Sequence, residues 1–373
     1  MKLLVDSQVF DNQKFGGISR YFTELIKRST KEHQINHSII YTQNFHLSEL
    51  FSELDKEPLR SKISAYFKYG FSKRKRSKRF HDLNKANSLN QLKNQDFDVF
   101  IPTYYDPYFL DYLDGKPFVL TVYDMIHEIM KGYINPDQQL IENKRLLIEK
   151  ADKVIAISKS TKNDILALYP HIDDQKIEVV YLSESITINE DVKLNLPKRY
   201  ILFVGNRGDY KNFNFFIESI TPLLKEDENL QVVCAGGGQF RNSEKRYLKS
   251  LEIETQIIQN DFKDNELFHY YNQALCFVFP SMYEGFGIPV LEAMKAECPV
   301  VLANHSSFPE VAGDAGVYFE LGNKNDLKEK ISQLINDESL RRRHIEKGKI
   351  QAQKFSWDKM ANESIDIYKS VII

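Results

Sequence analysis

An α/β fold with two doubly wound domains facing a cleft is predicted by three observations. Short β-branched or aromatic runs alternate with longer helical stretches along most of the 373 residues. The strand-like runs are continuously apolar, as expected for parallel strands that are covered on both faces. The alternation lapses once, in the polar stretch SESITINEDVKLNLPKR, and then restarts, which predicts two units of similar size in series.

The first domain is assigned to residues 1–190. Its predicted strands are KLLVDS, HSIIYT, DVFIP, FVLTVYD, KVIAIS and IEVVYL. Helical stretches between them include ISRYFTELIKRS and STKNDILALY, and Ser158 is placed to cap the second one.

The second domain is assigned to residues 191–356. Its predicted strands are RYILFVGN, LQVVCAGGG, TQIIQNDF, CFVFPS, PVVLAN and GVYFE. Residues 357–373 carry apolar side chains at helical spacing, and we expect this helix to pack back on the first domain; these side chains are Met360, Ile365 and Tyr368.

The bulk composition excludes several classes of protein. With 42% hydrophobic and 27% charged residues the chain is typical of soluble globular proteins, and a net charge of -2 argues against a nucleic-acid binder. Cys234, Cys276 and Cys298 are scattered without metal-ligand spacing, so we expect buried thiols and no metal site. Without a leader-like segment or a long apolar run, we expect a cytoplasmic protein, at most peripheral at the inner face of the membrane.

One segment departs from this composition. Lys62 to Leu83 holds eight Lys or Arg residues, five aromatic residues and one acid. A solvated loop or helix face explains such a run, and so does a surface for anionic lipid headgroups. Nucleic-acid binding is less supported, because no reading motif accompanies the segment.

Three strand-to-helix turns carry residues suited to binding a ligand. Gly16 and Gly17 allow the backbone to approach a ligand at the start of a helix. Arg207 and Lys211 follow an apolar strand, where cations can neutralise a diphosphate. Each feature alone is also explained by an ordinary turn or by solvated charges.

The third turn is PSMYEGFGIPVLEAM, which places two carboxylates around a glycine-rich loop. Glu284 is predicted to project from the loop after the strand CFVFPS, and Pro289 suits the first position of the next helix. Glu292 lies one turn into that helix. Carboxylates accept hydrogen bonds from paired sugar hydroxyls, although a surface acid and helix-dipole pairing explain them equally well.

Together these motifs resemble the family-4 glycosyltransferases, which have the two-domain GT-B fold. EGFGIPVLE is similar to the family's E-x7-E motif, and VGNRGDYKN resembles its phosphate-binding loop in a short-spaced form. TVYDMIHE, VIAISKSTKNDI, DNELFHYYNQA and SSFPEVAGDAGVYF also resemble their counterparts, in chain order.

The resemblance implies a retaining, metal-independent transfer from a nucleotide-diphosphate sugar, with no cofactor. It implies that Glu284 binds the donor sugar, that Glu292 binds the ribose, and that Arg207 and Lys211 hold the diphosphate. The Gly16–Gly17 loop would close on that diphosphate from the first domain.

Further donor contacts are implied by the same resemblance. The nucleobase is expected near Phe262. Backbone amides for the phosphates and the sugar are expected from Phe286, Gly287 and Ile288.

The chain departs from the family at Tyr123, where many relatives have a histidine close to the reacting sugar. The role of that histidine therefore does not carry over. Either Asp124 or His127 takes its place, or Tyr123 presents only its backbone carbonyl. A core tyrosine and a surface histidine are equally compatible with the sequence.

GDP-mannose is the first expectation for the donor, because EGFGIPVLEAM with a short R-x3-K resembles mannosyltransferases of surface polysaccharides such as O-antigen or capsule. UDP-sugars and dTDP- or GDP-deoxysugars remain open as donors. The basic and aromatic segment favours a lipid-linked glycan acceptor. Two other functions remain open: a nucleotide-sugar 2-epimerase, and a non-catalytic partner that binds nucleotide sugars.

Overall fold

The computed structural model describes residues 1–29, 33–54 and 73–372, apart from the side chains of residues 73–77 and 209. Within these ranges the chain forms twelve strands, and every strand pair is parallel. The strands divide into a first sheet region before residue 180 and a second one after residue 199.

The first half contains two three-stranded sheets that are joined at one edge. Their orders are β2-β1-β3 and β4-β5-β6, and a parallel bridge between Phe100 and Phe118 links them. The strands are β1 Lys2–Val5, β2 Gln34–His37, β3 Val99–Ile101, β4 Val119–Val122, β5 Lys153–Ala156 and β6 Ile177–Val179. The helices are α1 Gln8–Asn12, α2 Gly17–Ser29, α3 Phe45–Leu50, α4 Lys73–Asn94, α5 Ile126–Ile129, α6 Gln138–Lys150 and α7 Lys159–Leu168.

The second half forms one six-stranded sheet in the order β12-β11-β10-β7-β8-β9. Its strands are β7 Tyr200–Val204, β8 Gln231–Ala235, β9 Ile257–Asn260, β10 Cys276–Phe279, β11 Val300–Ala303 and β12 Gly316–Phe319. Its helices are α8 Phe213–Glu226, α9 Asn242–Ser250, α10 Leu267–Asn272, α11 Ile288–Lys295, α12 Phe308–Ala312, α13 Lys324–Asn336, α14 Glu338–Ala352 and α15 Trp357–Ser370. The strand order reverses between β7 and β10, and such a switch point is where open α/β sheets bind ligands.

Short 3-10 helices complete the described structure. They are Leu110–Tyr112, Asp174–Lys176, Asp209–Lys211, Glu254–Gln256, Asp264–Glu266 and Gly313–Ala315. No helix within the described ranges is long and apolar enough to cross a membrane.

The predicted α/β fold is confirmed. Eleven of the twelve predicted runs contain a strand, while HSIIYT shares only its first residue, His37, with β2. The three cysteines are buried, as expected. Ser158 caps α7, because its hydroxyl accepts a hydrogen bond from the amide of Thr161 at 2.9 Å.

Three local predictions were wrong. In HSIIYT the strand ends at His37, because the side-chain oxygen of Asn84 accepts the amides of Ile40 and Tyr41 in place of a neighbouring strand. The five-residue helix α1 separates β1 from the Gly16–Gly17 turn, so these glycines do not follow the strand directly. Pro289 is the second residue of α11 because Gly287 takes the cap position.

The C-terminal helix returns to the first half of the chain, as predicted. Arg28 on α2 donates to Asp358 on α15 at 2.7 Å, and the indole of Trp357 donates to Ser185 at 2.8 Å. Met360, Ile365 and Tyr368 are buried. The polar stretch 183–199 contains neither helix nor strand, while the domain boundaries at 190 and 356 stay predictions.

Candidate active site

Lys211 and Glu284 meet at the switch point, where β7 and β10 lie side by side. Lys211 ends the 3-10 turn after β7, and Glu284 lies in the loop between β10 and α11. The ammonium donates to the carboxylate at 2.5 Å, and the two side chains are only 18% and 15% exposed. Burial lowers the pKa of Lys211, but the nearby Glu284 charge and Tyr210 outweigh it, so the pKa is raised and the ammonium stays charged.

Arg207 has a different set of partners. Its Nε donates to Glu244 at 2.8 Å, and a terminal nitrogen donates to the carbonyl of Gly238 at 2.8 Å. Its guanidinium carbon lies 4.6 Å from the ring centre of Phe240, and the side chain is 4% exposed. Arg207 therefore braces the glycine loop after β8, and the structure gives the two predicted diphosphate cations separate surroundings.

That glycine loop needs its glycines. Gly236, Gly237 and Gly238 have φ angles of +77°, +72° and +72°, which other residues rarely adopt. A Cβ on Gly237 would lie 2.4 Å from the carbonyl oxygen of Gly205. The ring of Phe262 lies over Gly236, 3.0 Å from where a Cβ would be. The loops after β7, β8 and β9 thus converge at one edge of the sheet.

The loop that carries Glu284 is fixed by two serines which the sequence analysis did not assign a role. The hydroxyls of Ser306 and Ser307 donate to the carbonyl of Glu284 at 2.6 and 3.0 Å. Ser307 also lies 2.8 Å from the carbonyl oxygen of Phe286. Both serines belong to the matched stretch SSFPEVAGDAGVYF, which was the available signal.

The turn into α11 depends on one glycine. Gly287 caps the helix with a φ of +98°, and Ile288 begins it. The first amides of a helix have no partner within the helix, so this turn has donors to offer. The side chain of Phe286 is buried and packs near Tyr181 and Phe355, so only its backbone is available to a ligand.

The Gly16–Gly17 turn faces this loop from the first half of the chain. A Cβ on Gly17 would lie 3.3 Å from the Cδ1 atom of Ile288. Gly17 is also the first residue of α2, and the carbonyl of Gly16 accepts the amide of Arg20 at 3.0 Å. The two predicted donor loops are therefore neighbours across the cleft.

Glu292 lies on α11 and faces the same cleft. The hydroxyl of Tyr271 donates to its carboxylate at 3.3 Å. Burial raises the pKa of Glu292 to about 7, and the charge of Arg20 on α2 is the largest opposing influence. Arg20 forms an ion pair of 3.4 Å with Asp264 across the cleft, a contact that the sequence analysis missed.

Tyr123 is a core residue. It is 5% exposed, and its hydroxyl donates to the carbonyl of Thr103 at 2.9 Å. Its own carbonyl oxygen touches Gly285, where an added Cβ would lie 1.9 Å away. The side chain of Tyr123 therefore belongs to the core, while its backbone carbonyl faces the loop that carries Glu284.

Asp124 and His127 are placed differently from each other. Asp124 follows Tyr123 at the cleft, and its Cβ lies 3.0 Å from the position of a Cβ on Gly285. Its carboxylate accepts the amide of Ile126 at 3.0 Å. His127 lies on α5, where its Nδ1 accepts the amide of Asp137 at 3.4 Å instead of contacting Lys211 or Glu284.

Tyr283 connects the two halves of the chain beside the site. Its hydroxyl donates to Asp164 on α7 at 2.7 Å and accepts the amide of Met125 at 3.0 Å. Glu310 on α12 accepts the amides of Lys159 and Ser160 at 2.8 and 2.9 Å, which caps α7 from the other half. These contacts hold the loop before Glu284 against residues 123–125.

Two Rossmann-like halves, with the Lys211–Glu284 pair at the cleft between them, are the architecture of a GT-B glycosyltransferase. The sucrose-phosphate synthase of Thermosynechococcus elongatus has the same fold, with a TM-score of 0.73 and 16% identity over 99% of this chain and 98% of that one. Residues 15–182 match the family described as Glycosyltransferase Family 4, and residues 185–351 match Glycosyl transferases group 1. The chain belongs to the family-4 glycosyltransferases.

Two curated relatives are similar in sequence. The O-antigen chain mannosyltransferase B of Escherichia coli is 25% identical over 374 residues, which cover 95% of this chain and 96% of the relative. A Campylobacter jejuni relative is 28% identical over 226 residues, covering 59% of this chain and 60% of its own length. Its name describes an N-acetylgalactosaminyltransferase that acts on a saccharide linked to diphospho-undecaprenol.

Proposed function

We propose that this chain transfers a mannosyl residue from GDP-mannose, with retention, to a lipid-linked glycan in the synthesis of a cell-surface polysaccharide. The Escherichia coli relative supports the mannosyl residue and the O-antigen setting through its name. The Campylobacter jejuni relative supports an acceptor linked to diphospho-undecaprenol. We propose that the transfer takes place at the cytoplasmic side of the membrane.

The Lys211–Glu284 pair is the observation that carries this proposal. Lys211 is a charged, mostly buried ammonium at the switch point, and its pKa is raised above the ordinary value. When a donor binds, the ammonium pairs with the diphosphate and Glu284 accepts hydroxyls of the sugar. The positive charge then stabilises the departing nucleoside diphosphate without a metal ion.

The other donor contacts follow from the same placement. Glu292 accepts the ribose hydroxyls, Phe262 borders the base, and the amides of the turn at Gly287 and Ile288 face the phosphates. Arg207 supports the glycine loop after β8 through its contacts with Glu244 and the glycine carbonyls. The Gly16–Gly17 turn covers the diphosphate from the first half of the chain.

Retention is assigned to attack of the acceptor on the face from which the diphosphate departs, through an oxocarbenium-like ion pair. The protein contributes by holding the diphosphate, orienting the acceptor and excluding water. Asp124 is the proposed group beside the reacting sugar, because it lies against Gly285. Closure of the two halves completes the site, since these residues come from both of them.

Release of GDP from GDP-mannose, measured with and without a lipid-linked acceptor, tests this function. We expect release to depend on the acceptor, to persist in EDTA, and to yield the α-linked product. Interconversion of the sugar nucleotide without an acceptor would identify an epimerase instead. Binding of the donor with neither reaction would identify a non-catalytic partner.

A variant at Glu284 tests the assignment of the sugar hydroxyls. Glu284→Gln keeps the size of the side chain but removes the charge that pairs with Lys211. We expect turnover to fall by roughly 10²-fold, as for the loss of one preorganised group in an active site. Full activity of this variant would exclude the proposed contact with the donor sugar.

A further inference from the structure

A buried ion pair lies behind the cleft in the first half of the chain. Lys144, in the middle of α6, donates to Glu128 on α5 at 3.0 Å. The two side chains are 1% and 4% exposed, and the ammonium lies 5.2 Å from the ring centre of Tyr105. Leu147 and Ile148, which follow on the same helix, are fully buried. The burial of a charged lysine in such apolar surroundings calls for a structural or functional explanation.

A contribution to folding stability does not explain the buried Lys144–Glu128 pair. Removing two charges from water costs several kcal/mol, and apolar residues of similar size often replace a buried pair without loss. The second carboxylate oxygen of Glu128 is buried and has no hydrogen-bond partner. The pair is therefore incompletely satisfied, which makes a purely stabilising role a poor explanation.

The third contact of Lys144 leads to the cleft. Its ammonium also donates to the backbone carbonyl of Asp124, at 3.0 Å. The residues on either side are held from the opposite direction: the carbonyl of Tyr123 touches Gly285, and the amide of Met125 donates to Tyr283. Three consecutive residues thus lie between Lys144 and the loop that carries Glu284.

We propose that Lys144 is a positioning residue for glycosyl transfer, which fixes Asp124 and the 123–125 loop against the Tyr283–Gly285 donor loop. This rests on the proposed function. Glu128 holds the lysine side chain in place, and the carbonyl of Asp124 accepts another hydrogen bond from it. Lys144 touches no reacting atom, and its effect reaches the reaction through the backbone of Asp124. Transfer depends on such alignment because small displacements of reacting groups lower the rate strongly.

The test separates positioning from stability by two variants. Lys144→Met with Glu128→Met removes both buried charges and leaves two apolar side chains of similar length. Glu128→Met alone keeps the lysine and its hydrogen bond to the carbonyl of Asp124. The measurements are kcat and KM for GDP-mannose with acceptor, the unfolding temperature, and hydrolysis of the donor without acceptor.

We expect the double variant to unfold close to the wild-type temperature and to bind the donor with an unchanged KM, while kcat falls about tenfold or more. We expect Glu128→Met to be less stable but to keep kcat within about threefold of wild type. Wild-type kcat in the double variant would overturn the proposal. A loss of kcat of about tenfold or more in Glu128→Met, which keeps the lysine, would also overturn it, and this measurement remains available if the double variant does not fold. Absence of wild-type turnover would instead count against the proposed function.

Discussion

Gly285 passes so close to Tyr123 that a single added carbon would collide with the backbone of the other half of the chain. A Cβ on Gly285 would lie 1.9 Å from the carbonyl oxygen of Tyr123 and 3.0 Å from the Cβ of Asp124. The donor loop and the 123–125 loop are therefore packed backbone to backbone. This contact explains why the residue after Glu284 has no side chain.

We predict that Gly285→Ala lowers turnover sharply, because the donor loop must withdraw from Tyr123 to make room for the methyl group. Overpacking of this kind typically costs about 1–3 kcal/mol of stability. The control is Gly132→Ala, since no atom lies within 4 Å of the corresponding Cβ. Steady-state kinetics and thermal unfolding measure both effects, and equal activity of the two variants would refute the close contact.

Arg207→Ala is predicted to reduce both turnover and stability. The change removes a side chain that is 4% exposed, together with its hydrogen bonds to Glu244 and to the carbonyl of Gly238. A hydrogen bond contributes about 0.5–1.5 kcal/mol of stability. We expect roughly 10²-fold lower turnover, because the glycine loop after β8 loses its support beside the proposed diphosphate site. A variant with normal unfolding and normal kinetics would show that the guanidinium is dispensable.

The raised pKa of Glu292 predicts a pH-dependent difference between wild type and Glu292→Gln. The folded-state pKa is about 7, above the ordinary value of 4.5. Protonation of the folded state therefore adds stability that is fully present below pH 4.5 and is lost as the pH rises through 7. We expect the unfolding temperature of wild type relative to the Gln variant to fall between pH 5 and pH 8.

Asp6 does not obscure this measurement. Burial raises its pKa to about 6, so it titrates in the same range, but it does so in both proteins and cancels in the difference. A difference in unfolding temperature that stays constant from pH 5 to pH 8 would show that Glu292 does not titrate there. The KM of wild type for the donor should also fall as the pH rises through 7, because the carboxylate is the better acceptor for ribose hydroxyls.

The basic segment from Lys62 to Leu83 predicts binding to anionic vesicles. Residues 62–72 and the side chains of 73–77 lie outside the described structure, so this prediction comes from the sequence. We expect binding to weaken with salt and with Lys or Arg to Gln changes within residues 73–79. The control is the double variant Arg342→Gln with Arg343→Gln on α14, and binding is measured by sedimentation with vesicles. Binding that changes neither with salt nor with the substitutions in residues 73–79 would refute the prediction.

The parts of the fold that the sequence predicts well are those with strong local signals. Strands such as YILFV of β7 and VVLA of β11 are apolar along their whole length because both of their faces are covered. Helix α1 was missed because five residues show no periodicity. The β2 boundary was misplaced because Asn84, more than forty residues away, takes the hydrogen bonds of Ile40 and Tyr41.

Contacts between the two halves were beyond sequence reasoning. Tyr283 and Asp164 are 119 residues apart, and nothing local in either stretch indicates that they meet. The spacing of Arg207 and Lys211 correctly placed both after β7 but did not show that Glu244 engages only the first of them. The burial of Lys144 has no local signal in the sequence, because it depends on contacts with Glu128 and Tyr105.

Turnover and nucleotide binding by Lys211→Ala test the central claim most directly. Lys225→Ala is the matched control, because Lys225 also pairs with a glutamate, Glu252, but at the exposed surface. A ligand that binds the folded state raises its unfolding temperature, so GDP should stabilise wild type and Lys225→Ala alike. We predict that Lys211→Ala loses this stabilisation and roughly 10²-fold or more of its turnover. Normal turnover and a wild-type response to GDP in Lys211→Ala would contradict the account.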